Sequence, residues 1–260
     1  MTGKPRPSFP AQLGSTLEFK RPGNPASVST ATVTKPQGVG LDSSAVRMRM
    51  VQKLQGQGVT DAAVLQAMGT IERHRFVDTA LAIQAYEDTS LPIGLGQTIS
   101  KPGVVSRMAE LLRNGTAGKL GRVLEIGTGC GYQAAVLSML ATEVYSIERL
   151  RGLHDKAREN LRHLRLPNVH LLFGDGMAGY AKGAPYAAII AAAGGEAVPQ
   201  AWVDQLAMGG RLVAPVVTTG KPGGASGSAQ ALLVLDKTPQ GIRSSLLEAV
   251  HFVPLKSGVA

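Results

Sequence analysis

From Gly121 to Leu255, apolar strand-like runs alternate with helix-length amphipathic segments, and few architectures accommodate that order. GRVLEIG (121–127), EVYSIE (143–148), NVHLLFGDG (168–176), PYAAIIAAAG (185–194), GGRLVAPVV (209–217), QALLVLDK (230–237) and LLEAVHFVPL (246–255) read as strands. GYQAAVLSMLA (131–141), the basic RLRGLHDKARENLRHLR (149–165) and VPQAWVDQLAM (198–208) read as helices between them. Strands separated by helices imply βαβ units, hence a doubly wound, mostly parallel seven-stranded α/β sheet with helices on both faces. The last three strands lack helices between them, so the sheet is expected to end in an antiparallel portion. Residues 218–229 (TTGKPGGASGSA) form a glycine-rich insertion expected to be flexible.

Three regions follow. Residues 1–42 hold six prolines and five glycines with no apolar period, so they are read as a disordered tail. Seven of the first 50 residues are basic and two acidic, so this end carries most of the net charge of +9 and the body is only mildly basic. A nucleic-acid partner is therefore not expected, except through the tail. Residues 43–100 form an N-terminal helical and loop region: helices over 43–57 and 60–70, with Thr60 or Asp61 as N-cap, then an irregular loop broken by Pro92, Gly94 and Gly96. A helix restarts in SKPGVVSRMAELLRN with Ser100 as candidate N-cap, and residues 101–260 form the sheet domain. No apolar run approaches the roughly 18–20 residues of a spanning helix. One cysteine and five scattered histidines give no ligand spacing, so neither disulfide nor metal is expected.

Ligands of such sheets bind beyond the carboxyl ends of the strands. There the first strand runs into Glu125-Ile126-Gly127-Thr128-Gly129-Cys130-Gly131-Tyr132. Alternate glycines let the backbone approach a ligand that a Cβ would repel. Tyr132 occupies the third-glycine position of the dinucleotide fingerprint, which disfavours a pyrophosphate cradle. Glu125 suits a cationic or zwitterionic ligand. Glu148 closes the second strand, where a carboxylate can accept both hydroxyls of a ribose, and Asp175 in FGDG, beside Gly176, can accept from the adenine amine. The three acids together point to an adenosine ligand, S-adenosyl-L-methionine rather than NAD.

The set E-x-G-x-G-x-G, strand-terminal Glu and G-D-G resembles the class I methyltransferases, which implies a Rossmann-like methyltransferase sheet. AYEDTSLPIGLGQTISKP (85–102), VLEIGTGCGYQAAVLS (123–138), VPQAWVDQLAMGGRLVAPV (198–216) and EAVHFVPL (248–255) sharpen this. They resemble the protein-L-isoaspartate (D-aspartate) O-methyltransferase family from about residue 45 to 260. GQTIS is far more specific than the glycine loop. The tail, the insertion and Ala193-Gly194-Gly195-Glu196, where the family commonly has a proline-containing turn, are departures.

The resemblance implies methylation of the free α-carboxylate of L-isoaspartyl residues in damaged proteins and peptides, which starts their repair through a succinimide. It implies that Ser100 takes the active-site serine's role, its hydroxyl orienting the carboxylate rather than attacking. Thr98 and Ile99 would line the cofactor with Ser100, the glycine loop (Gly127, Thr128, Gly129, Gly131), Glu125, Glu148, Asp175 and Gly176, and Gln230 matches a family glutamine near the site. From spacing alone, Ser100 reads first as the cap of the following helix. Cys130 reads as a spacer, His251 as a packed or exposed strand residue, Trp202 as core. A cytoplasmic enzyme is expected. The alternatives are a class I methyltransferase acting on RNA or a small molecule, and a nucleic-acid-binding protein with a vestigial methyltransferase domain.

Overall fold

The computed structural model describes residues 44–218 and 229–260, so the expected tail over 1–42 and nearly all of the insertion lie outside the described residues. Seven strands form the main sheet: β3 (Leu120–Ile126), β4 (Ala141–Glu148), β5 (Val169–Phe173), β6 (Tyr186–Ala191), β7 (Leu206–Thr218), β8 (Ala229–Thr238) and β9 (Gly241–Val250). Their order is β5-β4-β3-β6-β7-β8-β9. Pairings from β5 through to β7 are parallel, and β7-β8-β9 close the sheet as an antiparallel meander. The expected doubly wound sheet with an antiparallel end is present.

The period of two along β3 sorts the core. Val123 packs with Val144, Ile190 and Val213 under α3 (Pro102–Arg113) and α4 (Tyr132–Leu140). Leu124 and Ile126 point the other way, into a cluster with Ile147, Ile189, Leu212 and Trp202 of α6 (Gln200–Gln205). The order of β3 and β6 against β4 and β7 places a crevice at the carboxyl ends, where the strand order reverses. The amphipathic α5 (Arg151–Arg162) buries Leu153, Ala157 and Leu161 and turns its arginines outward.

The N-terminal region shares a core with the sheet domain. α1 (Ser44–Gly56) and α2 (Ala62–Thr70) contribute Leu54, Val64 and Met68 to one cluster with Tyr132, Val136 and Leu140 of α4. Asp61 caps α2, accepting from the N–H groups of Ala63 and Val64 at 2.9 and 3.1 Å. Arg113, from α3, reaches the same Asp61 at 2.7 Å.

Two readings of the sequence are corrected here. The segment after α2 is not simply an irregular loop: it holds two 3-10 turns (Arg73–Phe76 and Thr79–Gln84) and a hairpin, β1 (Leu91–Gly94) with β2 (Gln97–Ile99). The glycines taken as breakers make the turn of this hairpin, with Gly94 at φ 98° and Gly96 at φ 69°. Ser100 is not the N-cap of α3. Pro102 opens that helix after Lys101, and the cap comes from a distant side chain, Asp88 Oδ1 accepting from Gly103 N at 2.7 Å.

Candidate active site

A cavity of about 460 Å³ lies at the carboxyl ends of β3 and β4, between the glycine loop and the β1–β2 hairpin. That volume falls in the range of small-ligand sites, about 300–1,000 Å³. Its floor is backbone. Gly127, Gly129 and Gly131 have φ of 89°, 56° and 91°, values that side-chain-bearing residues rarely adopt. A Cβ on Gly129 would stand 3.2 Å from Ile93 Cδ1 across the cavity. Gly131, by contrast, faces away: a Cβ there would meet Leu161 of α5 at 3.1 Å. Gly131 is thus a packing residue that starts α4, and it does not line the cavity.

Glu148 lines the cavity at 5% exposure. Its Oε2 accepts from Gly129 N and its Oε1 from Leu150 N, both at 2.9 Å. A carboxylate has about four acceptor sites, so each oxygen keeps one for a ligand hydroxyl. The same bonds tie the glycine loop to the end of β4.

Glu125 does not reach the cavity. Strand alternation sends it to the side of Val123, towards α4, where it is fully buried and bonded to Ser146 Oγ. Burial pushes its carboxyl up to about 8, against the Ser146 hydrogen bond and with the nearby Glu148 charge adding to the rise. Ser146 passes the contact on to Thr128 Oγ1 at 2.6 Å, and Thr128 does line the cavity. Glu125 thus stands behind the loop, outside the residues that line the cavity.

The other named residues divide similarly. Thr98, Ile99, Ser100 and Gly176 line the cavity together with Gly127, Thr128 and Gly129. Asp175 is set outside it: Oδ1 accepts from Met177 N at 2.8 Å and Oδ2 from Gly258 N at 2.7 Å. Gly176 is required locally, since a Cβ would come within 2.7 Å of Ile126 Cγ2, and Trp202 Nε1 donates to its carbonyl at 2.8 Å. Gln230 is also outside the cavity, clamping Phe252 through its N–H at 2.7 Å and its carbonyl at 3.2 Å.

Sequence reasoning missed the far wall. Val253, Pro254, Leu255 and Lys256 line the cavity after a segment held by Gly194, which donates to Val253 O and accepts from Leu255 N, both at 2.8 Å. The unusual glycine pair at 194–195 provides this dock, and a Cβ on Gly194 would strike the Gln230 amide at 2.5 Å. Cys130 is 3% exposed, and burial raises its thiol to about 11. His251 is exposed just beyond β9.

A glycine loop at the end of the first strand, a carboxylate at the end of the second and a doubly wound sheet with an antiparallel edge together define a Rossmann-like methyltransferase fold. Comparisons with known proteins narrow this. The family description "Protein-L-isoaspartate(D-aspartate) O-methyltransferase (PCMT)" matches residues 45–260. A protein-L-isoaspartate O-methyltransferase of Methylibium petroleiphilum is 56% identical over 98% of this chain and 97% of its own. One from Leptothrix cholodnii is 56% identical over 92% and 84%. A solved protein-L-isoaspartate O-methyltransferase superposes with TM-score 0.70 at 27% identity, covering 82% of this chain and 67% of that one. A Plasmodium falciparum structure in complex with S-adenosyl-L-homocysteine shares the fold, with TM-score 0.66 at 22% identity over 81% and 98%. The chain belongs to the protein-L-isoaspartate O-methyltransferase family.

Proposed function

We infer that this protein is an S-adenosylmethionine-dependent methyltransferase acting on the α-carboxylate of L-isoaspartyl residues, the first step of their repair. The observation that carries the reading is Ser100 of GQTIS facing the cavity floored by Gly127–Gly129 and Glu148. The cavity fits the cofactor: a Cβ at Gly129 would crowd Ile93 Cδ1 at 3.2 Å, so the floor there is bare backbone, and Glu148 keeps free acceptor sites beside apolar Ile126 and Ile147. When bound, the sulfonium supplies a methyl group to the carboxylate oxygen, the S–CH₃ bond breaking as the O–CH₃ bond forms and its electron pair staying on sulfur.

The chain's own residues do the rest. A substrate carboxyl with pKa near about 4 is already ionised, so no general base is needed. Ser100 donates a hydrogen bond that orients the nucleophile, Glu148 holds the ribose, and the backbone of Thr98 and Ile99 packs along the cofactor. Alignment and exclusion of water then supply the rate. Asp175 and Glu125 act at one remove, by holding the G-D-G turn and the glycine loop. Among the described residues no helix is long and apolar enough to cross a membrane.

The test is methyl transfer from labelled cofactor to paired peptides differing only in Asp versus isoAsp. Base-labile label in the isoAsp peptide alone is expected. Label in both peptides, or in RNA instead, would replace this reading with the wider methyltransferase one.

A further inference from the structure

Two arginines are buried among the described residues. Arg113, 5% exposed, meets Asp61. Arg73 is fully buried, and none of the ion pairs among the described residues includes it. Its Nε donates to Ala85 O at 2.7 Å and its Nη2 to Ser100 O at 2.8 Å. The guanidinium stacks 4.8 Å from the centre of the Tyr132 ring, and Nη1 has no hydrogen-bond partner. Arg73 does not line the cavity, but Ser100 and Tyr132, which it touches, both do. Desolvation lowers its pKa, yet a guanidinium remains charged at neutral pH. Asp88 is the carboxylate that acts on it, from beyond ion-pair distance; a buried charge without an ion pair is costly to a fold, and a neutral side chain of like size would be cheaper.

We propose that Arg73 is a positioning residue for a carboxylate substrate: its clamp on the Ser100 carbonyl fixes the orienting hydroxyl, and its charge, engaged in no ion pair, favours an anion on that side of the cavity. This rests on the proposed function. The two effects separate kinetically. Methyl transfer neutralises the carboxylate, so a nearby positive charge favours bound substrate over transition state and shows in KM. The clamp aligns the reacting groups and shows in kcat.

The experiment compares wild type, Arg73→Lys and Arg73→Met. It measures kcat and KM on an isoAsp peptide, calorimetric Kd for S-adenosylhomocysteine, and Kd of the peptide for that complex. All three should bind S-adenosylhomocysteine within about threefold of one another, since this thioether is uncharged at sulfur. Arg73→Lys keeps the charge but not the fork, so KM should hold within about threefold while kcat falls at least about fivefold. Arg73→Met should raise both KM and the peptide Kd by at least about tenfold. Wild-type kcat in Arg73→Lys, or wild-type peptide affinity in Arg73→Met, overturns the proposal. If Arg73→Met fails to fold, kcat of Arg73→Lys decides alone. A wild type inactive on isoAsp peptide defeats the functional reading and this one with it, whereas an active wild type with unaffected variants defeats only Arg73's role.

Discussion

The floor of the cavity is backbone and the wall facing it is held by side chains. Along Gly127–Gly131 the three glycines adopt positive φ and the loop is pinned through N–H groups to Glu148 and to Ile147 O. Between Ile71 and Lys101 the chain forms two 3-10 turns and a short hairpin, and Arg73, Asp88 and Lys156 fasten it: Arg73 at the Ala85 and Ser100 carbonyls, Asp88 at Gly103 N, and Lys156 Nζ at Ile93 O at 2.9 Å. A floor of this kind fails when an atom is added. A wall of this kind fails when a polar group is removed, and the two failures should be separable as cofactor affinity against stability and substrate handling.

The largest effect is expected on the floor. Gly129→Val puts a β-branched residue at φ 56° with its Cβ 3.2 Å from Ile93 Cδ1. Calorimetry should show S-adenosylhomocysteine affinity falling at least about 100-fold, roughly 2.7 kcal/mol. Glu148→Ala should cost about 1.5–3 kcal/mol of cofactor binding, the range for hydrogen bonds to a charged group. It should also lower the thermal midpoint, because Gly129 N and Leu150 N lose their acceptor; an unchanged Kd would remove Glu148 from the site.

The next effect is on pH dependence. Glu125 stays protonated in the fold up to about pH 8, whereas the unfolded chain ionises near 4.5. Folding therefore binds a proton across that window, and stability falls as pH rises through it. Glu125→Gln should flatten the slope, gaining a few degrees of Tm at pH 8 and nothing near pH 4. An unaltered slope would mean that this carboxyl ionises in the fold. The smallest effect belongs to the wall: Asp88→Ala should cost about 1 kcal/mol through loss of the α3 cap. Ser100→Ala should leave the thermal midpoint unchanged, because its side chain does not cap that helix.

How far the sequence could be read follows the same division. The sheet, the glycine loop and Glu148 announce themselves through local period and spacing, since strand ends and positive-φ glycines are local facts. For Glu125 the motif marks the position but not the face: the alternation from Val123 and Leu124 sends it towards α4. The capping of α3 was misread because its partner, Asp88, lies 15 residues before Gly103. Arg73 and the 253–256 wall were illegible for the same reason: burial without an ion pair and docking on Gly194 are properties of the folded chain.

The separation of floor from wall is tested most directly by Ser100→Asp, which sets a negative charge against an incoming carboxylate without touching a helix cap. S-adenosylhomocysteine affinity and kcat/KM on an isoAsp peptide would be measured on the same preparation. The account predicts cofactor affinity within about threefold of wild type and a specificity constant lowered at least about tenfold, roughly 1.4 kcal/mol of transition-state stabilisation. A variant as active as wild type, or one whose loss is entirely in cofactor affinity, would contradict it.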